Sequence, residues 1–293
     1  MPVVGMCKLC REPSELLESH IIPRFVFAWM KRTSSTGFLR NGRNPNQRQQ
    51  DGLKTYLLCA ACESRLNAWE TPFAAHVFLP FHEQEQIVLP YDDWLLKLCV
   101  SVSWRVLTYL RDLGHTAEME VDFGGDVDAA LATWAAFLLG QRLDTAPFQQ
   151  NLVPLGSIKC SNGDLPANVQ RYLMRATEID RIWTKQSAFT FAKMGRLALI
   201  GFIREPEAAL WEGTQVAQSN GILSPRALAV PDWFLKYLFV DRPERLAERQ
   251  RTMSVKQRER IDQSQRNDPE RVLRSETLQA FVEDERLKES RLR

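Results

Sequence analysis

The sequence predicts an α+β chain, and three observations predict it. Two Cys-x-x-Cys pairs, Cys7/Cys10 and Cys59/Cys62, bracket Ser-His-Ile-Ile-Pro at 19–23. Residues 92–113 and 126–139 carry apolar side chains at helical spacing. Residues 188–203 have strand composition, broken at Gly195. The expected order is a zinc-bound module over 1–82, a helical region over 83–145, a mixed α/β domain over 146–240 and a charged helical tail over 241–293.

The first module opens on Gly5-Met-Cys-Lys-Leu-Cys, which reads as a tight metal knuckle. Residues 23–31 form a short helix bearing Phe25, Phe27 and Trp29. Residues 33–52 are polar, rich in Asn, Gly and Arg, and predict a loop. Thr55-Tyr-Leu-Leu predicts a strand entering the second knuckle, and a helix from about Cys62 to Thr71 is expected to stop at Pro72. In the helical region Trp94, Leu95, Leu98, Val102, Leu107 and Leu110 recur at helical spacing, and Asp126 is a cap for the next helix. Residues 170–179 read as strand. The tail mixes charges of both signs, the pattern of exposed helices.

Composition bounds the function. The chain has 293 residues, 44% of them hydrophobic and 25% charged, as in soluble globular proteins. With 38 basic and 36 acidic residues no global field attracts polyanions, so a nucleic-acid surface must come from local clustering. No signal peptide and no run long enough to span a membrane is expected, which points to the reducing cytoplasm. There, paired Cys-x-x-Cys means metal more often than disulfide. Cys99 and Cys160 read as ordinary thiols, and His76 and His82 as core or surface residues.

Two Cys-x-x-Cys pairs supply four thiolates, enough for a closed structural zinc site. Cys-x-x-Cys, then His-Ile-Ile-Pro, then Leu-Leu-Cys-x-x-Cys resembles the zinc-containing HNH endonucleases, the ββα-metal or His-Me finger nucleases on a treble-clef-like scaffold. The resemblance covers residues 5–72. It implies that His20 activates water for attack on phosphorus and that Glu63, at the position of the family's helical metal ligand, helps hold Mg²⁺ or Mn²⁺. Ser19 stands where the family has an acid, and Lys54 lies near the place of the family's central Asn.

The residues speak for a site independently. Glu63, Asn67 and Glu70 fall at i, i+4 and i+7 on one helix face, while Leu66, Trp69 and Phe73 form a packing stripe. Carboxylates of this kind suit a hard divalent cation. A neutral imidazole such as His20 is a suitable general base. Arg40, Arg43, Arg48 and Lys54 are candidates for phosphate contacts. The expected function is a metal-dependent endonuclease acting on nucleic acid, DNA rather than RNA, with restriction or anti-phage defence implied by the resemblance. The alternative is a non-catalytic zinc-bearing module that binds nucleic acid or protein. The C-terminal region is expected to recognise substrate, a partner protein or a second copy of the chain.

Overall fold

The computed structural model of the chain describes residues 2–42, 44–159, 165–225 and 228–291. It is a mixed α+β protein. The chain folds as two compact units, each assembled from three separated stretches: 1–23, 53–154 and 177–229 in one, 24–52, 155–176 and 230–293 in the other. These are not the four consecutive segments that the sequence suggests. Strands distant in sequence pair with each other, so their ladders gather remote stretches into one body and divert the chain between them elsewhere.

The first unit contains two antiparallel sheets. The smaller runs Val3–Met6, Pro13–His20, Lys54–Cys59 in that order. The larger has Gln150–Pro154, Leu197–Arg204, Ala188–Met194 and Thr177–Trp183 as neighbours. In this sheet Ala188–Met194 is buried throughout, and Leu197–Arg204 is buried except at Arg204. That explains continuous apolar runs in place of an alternating pattern. Gly195 makes the turn between them at φ +59°, where a side chain would strain the backbone. The helix Trp94–Asp112 lies on this sheet. Its Ser103 approaches Gly201 so closely that a Cβ there would sit 2.4 Å from the serine Oγ. Phe189, Phe202 and Trp211 interlock edge-to-face, with centroids 5.1–6.1 Å apart.

Three expected boundaries move. The helix after the second knuckle spans Ala60–Phe73 with Pro72 inside it, then continues as a π-turn, Ala74–Phe78, and a short helix, Leu79–Glu83. Proline removes one rung of the ladder without forcing the chain out of helical geometry, and the turn that follows widens. The helix expected over 126–139 begins earlier, at Ala117, and kinks at Phe123 (φ −125°) beside Gly124 and Gly125. Asp126 therefore lies inside a helix and caps nothing. Residues Val169–Arg175 are helical, and the strand starts only at Thr177. Val169, Tyr172 and Leu173 are buried at i, i+3 and i+4, a helical stripe too short to stand out in sequence.

The second unit joins the helix Arg24–Arg32, the two-stranded hairpin Leu39–Arg40/Arg48–Gln49 and the helix Val169–Arg175 to the tail helices Arg242–Arg251, Val255–Asn267, Pro269–Leu273 and Glu276–Arg291. The tail is docked by buried charges. Arg171 meets Asp284 at 2.6 Å, and Asp284 is 2% exposed. Arg175 lies over Trp29 and donates to Met30 O, Thr33 Oγ1 and Glu276. Among the described residues no helix is long and apolar enough to cross a membrane.

Candidate metal centre and the strand beside it

The four cysteines come together because each pair straddles a tight turn. Cys7 and Cys10 occupy the tip between Val3–Met6 and Pro13–His20, closed by Arg11 N–H donating to Cys7 O at 2.9 Å. Arg11 itself adopts φ +64°, a costly conformation for a non-glycine residue. Cys59 ends its strand in extended geometry as the residue before the helix Ala60–Phe73, and Cys62 lies in that helix's first turn. Strand end and first turn thus present two sulfurs to one point, with the positive end of the helix favouring thiolate.

All four sulfurs lie within 4.8 Å of one another, and Cys10 and Cys59 are 3.9 Å apart. Zinc–sulfur bonds of about 2.3 Å in a tetrahedron put sulfurs about 3.8 Å apart. The spacing fits a metal such as zinc and is far too long for a disulfide of about 2.05 Å. The cysteines are unpaired as disulfides. Burial pushes the Cys7 thiol up, but amide donors from Cys59, Cys10 and Leu9 outweigh it and hold it at about 7. Burial, followed by the neighbouring thiols, pushes Cys62 far up, and burial also raises Cys10. Four thiolates cannot share so small a volume without a cation among them.

His20 ends the strand Pro13–His20, opposite Lys54, and is half-buried. The next strand leads directly into the helix that carries Glu63, Asn67 and Glu70. Strand and helix are tied at two places. Ser19, completely buried, donates from Oγ to Glu63 Oε2 at 2.8 Å. Arg105, 1% exposed on the helix Trp94–Asp112, donates to the His20 carbonyl at 2.7 Å and to Glu70 Oε1 at 2.9 Å. Its remaining donors reach Ser101 O and Ser101 Oγ at 3.2 and 3.3 Å.

The expected residues divide accordingly. Glu63 and Glu70 are half-buried and held, whereas Asn67 is exposed. Leu66 and Phe73 pack inward as the stripe requires. Lys54 pairs with Glu18 at 3.0 Å. Arg40 and Arg48 belong to the hairpin of the second unit, and Arg43 and Cys160 lie outside the described residues. His82 is a core histidine: Nε2 accepts from Arg196 N–H at 2.8 Å, Nδ1 donates to Phe78 O at 2.8 Å, and the ring stacks on Phe78. Cys99 is buried, and burial pushes its thiol up.

Sequence reasoning missed Arg105 and the bond from Ser19. The signal for Arg105 was present, a lone cation inside the apolar run from Val100 to Leu107. Such a charge is buried only with partners. Comparisons with protein-family models, curated proteins and solved structures gave no significant match to this chain.

Proposed function

We propose that the chain is a metal-dependent endonuclease of the HNH type. The observation that carries this reading is the anchoring of the strand that ends in His20 to the helix that carries Glu63. A strand ending in His20 faces a helix bearing Glu63 and Glu70, and Ser19 and Arg105 hold the two together beside a four-cysteine centre. Two antiparallel strands followed by a helix supply the ββα order that the resemblance calls for.

In this reading zinc is structural, because four thiolates leave it no open position. His20 takes a proton from water as the water attacks phosphorus. Glu63 holds a divalent cation such as Mg²⁺ or Mn²⁺, whose charge stabilises the leaving oxygen. Glu70 acts indirectly: its carboxylate engages Arg105, which fixes the backbone at His20. One observation favours a non-catalytic zinc-bearing module that binds nucleic acid or protein. Both carboxylates already have partners within the chain, Glu63 in Ser19 and Glu70 in Arg105.

Nicking of supercoiled plasmid with added Mg²⁺ or Mn²⁺ separates the two. Wild-type protein should cut, and His20→Ala should lower the rate by about 10²- to 10⁴-fold while retaining its zinc. An active wild type whose His20→Ala variant cuts equally fast would remove His20 as the base. Binding without cleavage under every metal tried would favour the non-catalytic module.

A further inference from the structure

The charge of this chain is unevenly distributed. The near balance of the whole conceals 14 basic and 21 acidic residues in the first unit, against 24 and 15 in the second. Within the second unit, residues 24–52 and 242–260 hold 13 of the 24 cations and only 4 of the 15 acids. The rest of that unit balances at 11 of each. Its entire positive excess therefore resides in two stretches separated by nearly two hundred residues.

The fold pins those two stretches together. Asn46, in the loop of the hairpin Leu39–Arg40/Arg48–Gln49, donates to Thr252 O at 3.2 Å and accepts from Ser254 N–H at 2.7 Å. Thr252 and Ser254 form the joint between Arg242–Arg251 and Val255–Asn267. With its amide turned to satisfy both partners, Gln257 accepts from Arg40 at 2.5 and 3.1 Å. Arg258 reaches back to Arg251 O at 3.3 Å. Arg48, Arg251, Lys256 and Arg258 are exposed, and among the described residues no carboxylate lies within ion-pair distance of them. Burial, then the nearby charge of Arg48, pulls the Arg40 guanidinium below its usual range. An anion between the two would relieve that crowding.

We propose that the hairpin and the helix joint at 251–255 together form a docking surface for the phosphate backbone of nucleic acid. Three of those four exposed cations, Arg48, Arg251 and Arg258, are arginines, whose planar forks suit phosphate oxygens better than a lysine point charge does. Phe38 is 43% exposed beneath Arg48, whose guanidinium lies 4.1 Å from the ring centroid. An exposed ring backed by arginine offers a base a face to stack on. The surface extends the expected contacts of Arg40 and Arg48 to Arg251, Lys256 and Arg258. It rests on the proposed reading only in taking nucleic acid as the partner.

The test is binding without catalysis. His20→Ala protein, free of added divalent ions, is titrated into labelled single-stranded and duplex oligonucleotides of about 30 residues between roughly 50 and 200 mM salt. Binding should weaken steeply with salt. The triple reversal R48E/R251E/R258E should weaken it at least about tenfold and flatten the log–log salt slope by roughly 0.9 per lost contact, about 3 in all. The neutral triple R48Q/R251Q/R258Q, with an unchanged melting temperature, should move both quantities the same way by less. Unchanged affinity and slope in both folded triples would overturn the surface. So would binding to phosphatidylserine vesicles with none to oligonucleotide, or no binding to either at the lowest salt. Salt-dependent binding by a protein that never cuts removes only the catalytic reading. Cleavage by a wild type whose triple variants bind normally removes only this surface.

Discussion

The two sheets of the first unit are held by different physics. The central strands of the four-stranded sheet, Ala188–Met194 and Leu197–Arg204, are buried on both faces, with Phe189, Phe191, Ile200 and Phe202 on one face and Leu199 and Gly201 on the face that meets the helix Trp94–Asp112. The three-stranded sheet has little of this. Val3 and Met6 are exposed, Val4 is 74% exposed, and Pro13–His20 buries only Ser19 completely. Beside the buried Leu57 and Leu58 it has a cluster of four thiols and one polar tie to the long helix, through Arg105. A small sheet whose apolar burial is confined to a few residues such as Leu57 and Leu58 leans on a metal at its thiols where a larger one leans on leucines.

Metal removal is the harshest way to break this comparison. Structural zinc contributes about 10–16 kcal/mol in small metal-folded modules, and its thiolates must lose protons to bind it. A strong chelator, acidification or Cys59→Ser should therefore abolish amide protection in Pro13–His20 and Lys54–Cys59. Protection in Ala188–Met194 and Leu197–Arg204 should survive. Hydrogen-exchange mass spectrometry reads both at once. Simultaneous loss across all four strands would mean that one core holds both sheets.

The converse attack uses Phe191, which has no exposed surface. Phe191→Ala should cost about 3–5 kcal/mol, measured by urea melts. One zinc per chain should remain bound wherever the variant is still folded. Loss of zinc from the folded variant would show that the thiol centre leans on the apolar core.

Arg105 is the tie between the regions. Arg105→Ala leaves Glu70 without its cation and the His20 carbonyl without its donor, in surroundings that exclude most water. Breaking such a buried pair costs about 3–5 kcal/mol. Arg105→Ala/Glu70→Gln should recover part of this, because it removes the uncompensated charge. A double variant no more stable than Arg105→Ala would assign the loss to the His20 carbonyl or to Ser101 instead of to the ion pair.

Much of this contrast was legible in sequence, for identifiable reasons. The knuckles were readable because two residues between cysteines is the gap that one tight turn spans. The hairpin of Ala188–Met194 and Leu197–Arg204 was readable because Gly195 punctuates an apolar run. Pro72 misled because a single proline near a helix end can be absorbed by a wider turn. Gly124 and Gly125 hid the first half of the helix Ala117–Leu138. The site was half legible. His20 and Glu63 stand as candidates by motif position alone, whereas the partners Ser19 and Arg105 depend on which distant elements pack together, and no local pattern encodes that. The interleaving of the two units was hidden for the same reason.

The gentlest probe concerns Lys193, buried completely in Ala188–Met194, where its ammonium donates to Gly195 O. Burial pulls this lysine well below its usual range. In the unfolded chain it holds its proton up to about pH 10.5, while in the folded chain it releases it earlier. Between those two values the unfolded state binds more protons, so stability must rise with pH, by at most about 1.4 kcal/mol per unit. The contribution is complete above the unfolded value and is lost as pH falls through the folded one. Urea melts of wild type and Lys193→Met at a series of pH values isolate it, since cysteine and histidine titrations are common to both proteins. The stability of wild type relative to the variant should increase towards alkaline pH. Parallel curves would mean that Lys193 keeps its proton in the folded state, and that even the apolar sheet of this unit carries a charge in its core.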